Sequence, residues 1–371
     1  MNPAKTTKRT DAAGNRQRLS PTWTADQLLA LGRSYQGAAI LLAAAELDLF
    51  TALASKPRTA SELAGKLQCD SRALTVVLDA LAALRLLLKS GSAYSLPPGL
   101  EALLTSGGRE SMLAMAQHQA NCLQRWAQLA RVVKTGRPAQ RTHSVRGSAG
   151  DQQAFIGGMH NLSAPIAVQL IQAVQPLEFE QLLDVGGASG TWTMAFLQAC
   201  PGARATLFDL PDVIPMARRR LAEAGLVSRV DLVPGDFLRD ALPKGADLAW
   251  VSAIIHQNSR AQNRVLFKKI FGALTPGGRI AIRDVLMDST RTRPLAGALF
   301  AVNMLVGTEG GGTFTFDELR EDLEAAGFTR AAVRRKDPAM NCVVVAKKPK
   351  EPSQKPSGRR RSSGPKKRIT A

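Results

Sequence analysis

Histidine, cysteine and tyrosine are scarce in this chain: four, four and two among 371 residues. Cys69, Cys122, Cys200 and Cys342 are scattered, with no CxxC and no mixed Cys/His ligand spacing. That excludes a zinc ligand set and a disulfide frame, so reduced structural thiols and no bound metal are expected. No window holds the ~20 uninterrupted apolar residues of a membrane span, because the runs around 38–54 and 73–88 carry Glu46, Asp48, Asp79 and Arg85. The N-terminal stretch MNPAKTTKRTDAAGNRQRLSPTW is basic but lacks the apolar segment of a secretory signal. A soluble, cytoplasmic protein without a membrane span is expected.

Acidic residues are outnumbered, 30 against 49 Lys and Arg, for a net charge of +19. Such a charge suggests nucleic acid until it is located. Residues 347–371 hold ten basic residues against Glu351, and residues 1–20 hold five against Asp11, which leaves +6 for the rest. The tails, 1–21 and 350–371, are rich in Ser, Thr, Pro, Gly and charge, cannot offset their ordering entropy by burial, and are expected to be disordered. No aromatic residue interleaves their charges as a stacking platform would require. Nucleic-acid binding is therefore expected to be confined to weak contacts of the tails.

A chain of 371 residues at 45% hydrophobic content is long and apolar enough for two domains. Residues 22 to about 165 read as helical, with periodic stretches such as ADQLLALGRSYQGAAILLAAAELDLFTALA. Thr59 and Glu62 form a capping box before a short helix, Cys69-Asp70-Ser71 breaks it, and a longer apolar helix leads into the hairpin-like LLLKSGSAYSLPPG. Helix, turn, helix and hairpin describe a winged helix over 22–110. Its second helix offers mainly Arg72 and Arg85 amid Ala, Leu and Val, which favours packing or dimerisation over base readout. A helical linker with pocket-forming helices is expected over 111–175.

From 176 to 349 apolar strands alternate with helices, the pattern of a doubly wound, mainly parallel sheet. The expected strands are QLLDVGG, RATLFDL, VDLVPGD, ADLAWVSAII, GRIAIRDVLM, AAVRRKD and MNCVVVAKK. Ligands in such sheets bind beyond the carboxyl ends of the strands. The first strand ends in LLDVGGASG, where Val185 breaks the G-x-G-x-x-G register, so a dinucleotide cradle is excluded. Asp184 followed by Gly186, Gly187 and Gly190 suits instead a turn that approaches a nucleoside or amino-acid moiety. The second strand ends at Asp209, nineteen residues after Gly190, a spacing at which a carboxylate can accept from both ribose hydroxyls. The third ends in PGDF, offering Asp236 to an adenine amino group and Phe237 to its ring. Three successive strand ends of this kind make a nucleoside site.

The motifs LDVGGASG, LFDLP, PGDF, IIHQNS, LTPGGRIAIRDVLMD and NMLVGTEGGGTFTFDELREDLEAAGF together resemble the S-adenosylmethionine-dependent O-methyltransferases of the plant caffeate and bacterial polyketide-tailoring type, over about residues 22–349. The resemblance implies a Rossmann-like α/β methyltransferase domain, an N-terminal helical winged-helix dimerisation domain forming a homodimer, and methylation of hydroxyl groups on small aromatic molecules. It implies S-adenosyl-L-methionine contacts at Gly186, Gly187, Asp209, Leu210, Asp236 and Phe237, and at Ser252, where plant members have a lysine. His256 falls on the family's catalytic histidine and Asp284 on the acidic residue that orients it. A neutral imidazole that takes the phenol proton as the methyl transfers would contribute on the order of 10² to 10⁴ in rate.

Gln257 stands where the family has aspartate, and Thr313 where plant members have a second orienting glutamate, with Glu309 nearby. Met159, Trp126, Asn303 and Met304 are expected to line the acceptor pocket, with core packing as the alternative for Met159, Trp126 and Met304. Gly310–Gly312 suggest a mobile loop over it. His118, His143 and His160 read as structural or exposed. Two other readings remain open: a non-methylating relative, hydroxylase or decarboxylase, that keeps the cofactor site, and a winged-helix nucleic-acid binder with a methyltransferase-like sensor domain.

Overall fold

The computed structural model describes residues 23–350, so the expected basic tails lie outside the described residues apart from Lys350. The chain opens with α1 (Ala25–Arg33) and α2 (Tyr35–Glu46), separated only by Ser34. Thr24 caps α1 through a reciprocal pair with Gln27. No residue of α1 is buried, and Leu28, Leu29 and Leu31 all face water, an apolar stripe that needs a partner surface.

After α3 (Leu49–Leu53) come β1 (Arg58–Thr59), α4 (Ala60–Leu67), α5 (Ser71–Ala83), β2 (Leu88–Ser90) and β3 (Ala93–Ser95). The Thr59–Glu62 capping box opens α4, Asp70 caps α5 by accepting from the Ala73 N–H, and the strands pair in the order β1-β3-β2. Leu74, Leu78 and Leu81 pack α5 against Phe50, Leu63 and Tyr94. The burial is one-sided, since Val76 and Leu84 stay exposed.

Next follow α6 (Leu100–Leu104), α7 (Leu113–Trp126), α8 (Leu129–Thr135) and α9 (Gly147–Ile171). The helical texture read to about 165 continues in α9 through Pro165 to Ile171, within the 111–175 expected for the helical linker. Its last turns are held by burial of Ala167, Leu170 and Ile171 in the sheet domain's core, which outweighs the hydrogen bond the proline removes. The stretches Ala25–Glu46 and Gly147–Val174 are long and apolar enough to cross a membrane by length and composition alone. Core and interface helices of soluble proteins share this length and composition, so the two stretches do not overturn the expectation of no membrane span.

The rest of the chain forms β4 (Gln181–Val185), α10 (Thr191–Ala199), β5 (Arg204–Asp209), α11 (Ile214–Glu223), β6 (Val230–Pro234), β7 (Ala246–Ser252), α12 (Arg260–Ala273), β8 (Leu274–Asp284), β9 (Leu286–Met287), α13 (Leu295–Gly307), β10 (Phe314–Thr315), α14 (Phe316–Ala325), β11 (Thr329–Arg335) and β12 (Cys342–Lys347). The main sheet runs β11-β12-β8-β7-β4-β5-β6, parallel from β8 to β6 and antiparallel at β12 and β11. Apolar side chains of the central strands alternate between two cores. Leu182, Leu207, Trp250 and Ala281 meet α9 and α10 on one face, and Leu183, Val185, Val251 and Ile282 meet α12 and α14 on the other. The chain winds outward from β4 through β5 to β6 and returns to β7 on the opposite side, so the order reverses between β4 and β7. A crevice at their carboxyl ends is where such a sheet binds ligands.

Candidate active site

The first corner of the crevice is the turn after β4. Gly186 has φ +69°, and a Cβ there would stand 2.5 Å from Ile254 Cδ1; at Gly187 it would stand 2.6 Å from Leu207 Cγ. Both glycines are therefore required by close packing and backbone shape. Gly190, at φ +80°, starts α10. Asp184, read from sequence as part of this turn, points inward instead: it is buried and accepts from the Thr193 hydroxyl at 2.6 Å. Burial raises its pKa to about 7.

Asp209 ends β5. Its Oδ2 accepts from the Ala188 N–H and its Oδ1 from the Leu210 N–H, each at 2.7 Å. Burial raises its pKa while these two bonds lower it. A carboxylate has about four acceptor sites, so two remain for a ligand. Leu210 is 49% exposed beside it. Asp236 follows β6 and accepts from the Leu238 N–H at 2.9 Å, while Phe237 approaches the Gly186 turn. An open groove of about 520 Å³ lined by Pro211, Ile214, Pro215, Arg218 and Arg219 holds none of the predicted site residues.

The fourth strand is shorter than expected. β7 stops at Ser252 because Ala253 takes φ +57°, and His256 sits on a short 3-10 turn over Ile255–Gln257 rather than at a strand end. Its Nδ1 is 2.9 Å from both Oδ1 and Oδ2 of Asp284, the last residue of β8. Asp284 also accepts from the Val285 N–H at 2.8 Å. A carboxylate beside Nδ1 favours the tautomer in which Nδ1 donates, which turns Nε2 away from Asp284 as the ring's second nitrogen. Phe300 of α13 stands edge-on to the imidazole, with centroids 4.8 Å apart.

Gln257 is exposed and donates to the Ala253 carbonyl at 3.2 Å, so it does not brace the imidazole. Glu309 is exposed and Thr313 buried. The glycine stretch, expected to form a mobile loop, lies against the His256 turn at Gly311 and Gly312. Gly312 donates to the His256 carbonyl at 2.9 Å, and a Cβ at Gly311 would lie 2.5 Å from that oxygen.

Two of the predicted pocket residues meet across the molecule: Trp126 Nε1, at the end of α7, donates to Asn303 Oδ1 of α13 at 2.9 Å. Met304 is buried in α13 and Met159 half-buried in α9. Phe300 was missed, although it lies one helical turn before Asn303 and Met304, a spacing that puts all three on one side of a helix. His160, read as structural or exposed, has its Nδ1 2.8 Å from Thr191 Oγ1 at the start of α10, and burial lowers its pKa to about 4.

Residues 126–329 match the family model for an O-methyltransferase domain, and residues 33–106 the model for an O-methyltransferase dimerisation domain. The 3-hydroxy-5-methyl-1-naphthoate 3-O-methyltransferase of Streptomyces sahachiroi is 31% identical over 83% of this chain and 91% of its own length. The tetracenomycin polyketide synthesis 8-O-methyl transferase of Streptomyces glaucescens is 32% identical over 81% and 91%. Human N-acetylserotonin methyltransferase, solved in complex with S-adenosylmethionine, superimposes with a TM-score of 0.75 at 25% identity, covering 89% of this chain and 99% of that one. Neither the hydroxylase or decarboxylase reading nor the nucleic-acid reading gains support from these likenesses. Two family models and two relatives above 30% identity across most of its length establish that the chain belongs to the S-adenosylmethionine-dependent O-methyltransferase family.

Proposed function

We propose that this O-methyltransferase acts on a hydroxyl group of a small aromatic, polyketide-like molecule, with His256 as general base and Asp284 as its orienter. The observation that carries the reading is the buried pair itself, in which Asp284 spans the Nδ1 side of the ring and leaves Nε2 free. The cofactor supplies an electrophilic methyl group, so the protein's task is to bring the acceptor oxygen in line and take its proton. His256 Nε2 receives that proton, and Asp284 stabilises the imidazolium that results. Phe300, with the linked Trp126 and Asn303, supplies a flat wall and a fixed amide for a ring that carries oxygen. The names of two relatives, which specify a hydroxynaphthoate and a tetracenomycin polyketide, support a fused aromatic acceptor.

The cofactor would lie along Gly186, Gly187, Gly190, Asp209, Leu210, Asp236, Phe237 and Ser252, with Asp209 toward the ribose hydroxyls and Asp236 and Phe237 toward the adenine. Met159 and Met304 would close the acceptor pocket. The domains would divide into a dimerisation unit over 22–110, pocket helices over 111–175 and a methyltransferase domain over 176–349. The exposed leucines of α1 and the matched dimerisation domain support a homodimer through the N-terminal unit. The test is a panel of hydroxylated and amino-substituted aromatics with methyl-labelled cofactor. Label transferred to oxygen is expected; label only on amines would overturn the acceptor class.

A further inference from the structure

Arg283 is the penultimate residue of β8, and the sequence reading gave it no part. Side chains alternate along a strand. Ile280 and Ile282 face the core under α12 and α14, Ala281 faces the core under α9 and α10, and Arg283 follows Ala281. It thus stands on the opposite side of the sheet from Asp284, at the crevice end of the strand. There its guanidinium lies 5.0 Å from the ring of Trp192, in the first turn of α10 just beyond the glycine turn. Its Nη1 donates to Ser252 Oγ at 3.2 Å, where β7 ends. Nε and Nη2 both donate to Asn341 Oδ1, at 3.0 and 2.7 Å.

This is an unusual setting for a cation. Arg283 is 5% exposed, yet among the described residues no carboxylate comes within ion-pair distance of it; Asp284 and Asp337 act on it only at longer range. Burial lowers its pKa to about 10. A guanidinium has five N–H donors, and the three bonds above leave one on Nη1 and one on Nη2 unused. Buried charge without a counterion is expensive and usually marks a place where one arrives. Arg279, the strand's other buried arginine, shows the contrast, since its donors go to the carbonyls of Val174, Pro176 and Glu178 and tie the strand to the segment that follows α9.

S-adenosylmethionine carries a single anionic group, the carboxylate of its amino-acid arm; its other charges, the ammonium and the sulfonium, are positive. With the nucleoside on Asp209 and Asp236, that arm must run back over the glycine turn toward β7, between the first turn of α10 and Ser252. We infer that Arg283 binds the α-carboxylate of the cofactor, through the two N–H groups that the protein leaves free. The inference rests on the cofactor placement proposed above. The parallel N–H pair of a guanidinium matches a carboxylate in geometry as well as charge, while Trp192, Ser252 and Asn341 fix its plane beforehand.

Calorimetric titration of the full-length chain with two ligands tests this: S-adenosylhomocysteine, and its decarboxylated form, which keeps the nucleoside, the sulfur and the amine. Wild type should prefer the carboxylate-bearing ligand by about ten- to a hundredfold. Arg283→Met should erase that preference while binding the decarboxylated ligand within about twofold of wild type, and Arg283→Lys should restore part of it. Equal weakening of both ligands in Arg283→Met, or no preference in wild type, would overturn the assignment of Arg283 and leave the cofactor placement standing. Arg283→Lys guards against loss of fold in the methionine variant, and a wild-type level of preference lost in both variants still supports the inference when each binds the decarboxylated ligand normally. Failure of wild type to bind either ligand would instead overturn the placement itself.

Discussion

At the end of the crevice proposed for the nucleoside, Leu210 is open to water, and the carboxylates are organised by backbone N–H groups: Asp209 by those of Ala188, in the turn after β4, and of Leu210, and Asp236 by that of Leu238. At the other end His256 and Asp284 are 7% and 2% exposed and hold each other, side chain to side chain, across two elements. Backbone groups survive the loss of any one side chain, and water can replace a lost partner. A buried pair has no such reserve, because removal of one member leaves the other desolvated and alone. The two ends should therefore fail differently under mutation.

The largest effect is expected at the closed end. His256→Ala should lower the rate of methyl transfer by about 10² to 10⁴ with cofactor affinity nearly unchanged, measured as single-turnover label transfer beside a direct binding titration. A parallel loss of cofactor affinity would erase the distinction between the ends. Asp284→Asn comes next, with a loss on the order of a hundredfold, since an amide can present its NH2 to Nδ1 and so move the imidazole proton to Nε2. Its signature is a fall in kcat with little change in cofactor KM. At the open end Asp209→Ala should act the other way, raising the cofactor KM about ten- to a hundredfold with kcat near wild type at saturation. Asp236→Asn, at a more exposed carboxylate, should shift it by only about two- to fivefold.

The sequence carried the open end better than the closed one. Asp209 and Asp236 follow apolar strands directly, so pattern and position coincide, and the glycines of the first turn announce themselves by number. His256 was found by its likeness to a family motif, but its setting was not legible: the strand was expected to run to Ile255, and nothing in Ser252-Ala253-Ile254 tells that Ala253 turns left-handed and ends it. Arg283 and Asp284 are neighbours in sequence and lie on opposite faces of the sheet. Assigning each to its face needs the register of β8 against β7 and β12, which is a property of the assembled sheet. The contacts of Phe300 with His256 and of Trp126 with Asn303 likewise join segments far apart in the chain. The glycines at 310–312 were read for mobility because composition reports freedom of the backbone and says nothing of the carbonyl packed against it.

The smallest effect on turnover is expected beneath the glycine turn, and it concerns stability. Asp184 is buried and bonded to Thr193 beneath the turn, so Asp184→Asn should leave methyl transfer close to wild type. Its folded pKa, about 7, lies above the 3.8 of an ordinary aspartate. Below pH 3.8 the folded and unfolded chains both hold the proton, and the site's contribution is fully present. As pH rises from about 4 to about 7 the unfolded chain releases its proton first, so stability drains away through that window and stays lost above it. His118 and His160, each lowered to about 4 by burial, work in the opposite sense, with stability present above pH 6.5 and lost as pH falls toward 4. They are common to both proteins, so the difference between wild type and Asp184→Asn isolates the aspartate. Urea unfolding at pH 5 and pH 8 should show the asparagine variant gaining on wild type at the higher pH by up to a few kcal/mol, on the order set by the pKa difference. A difference that does not change with pH would mean that Asp184 is ionised in the folded protein. In that case the turn would carry a buried negative charge below the open end, and the separation of an open, backbone-organised end from a closed end held by paired side chains would no longer hold.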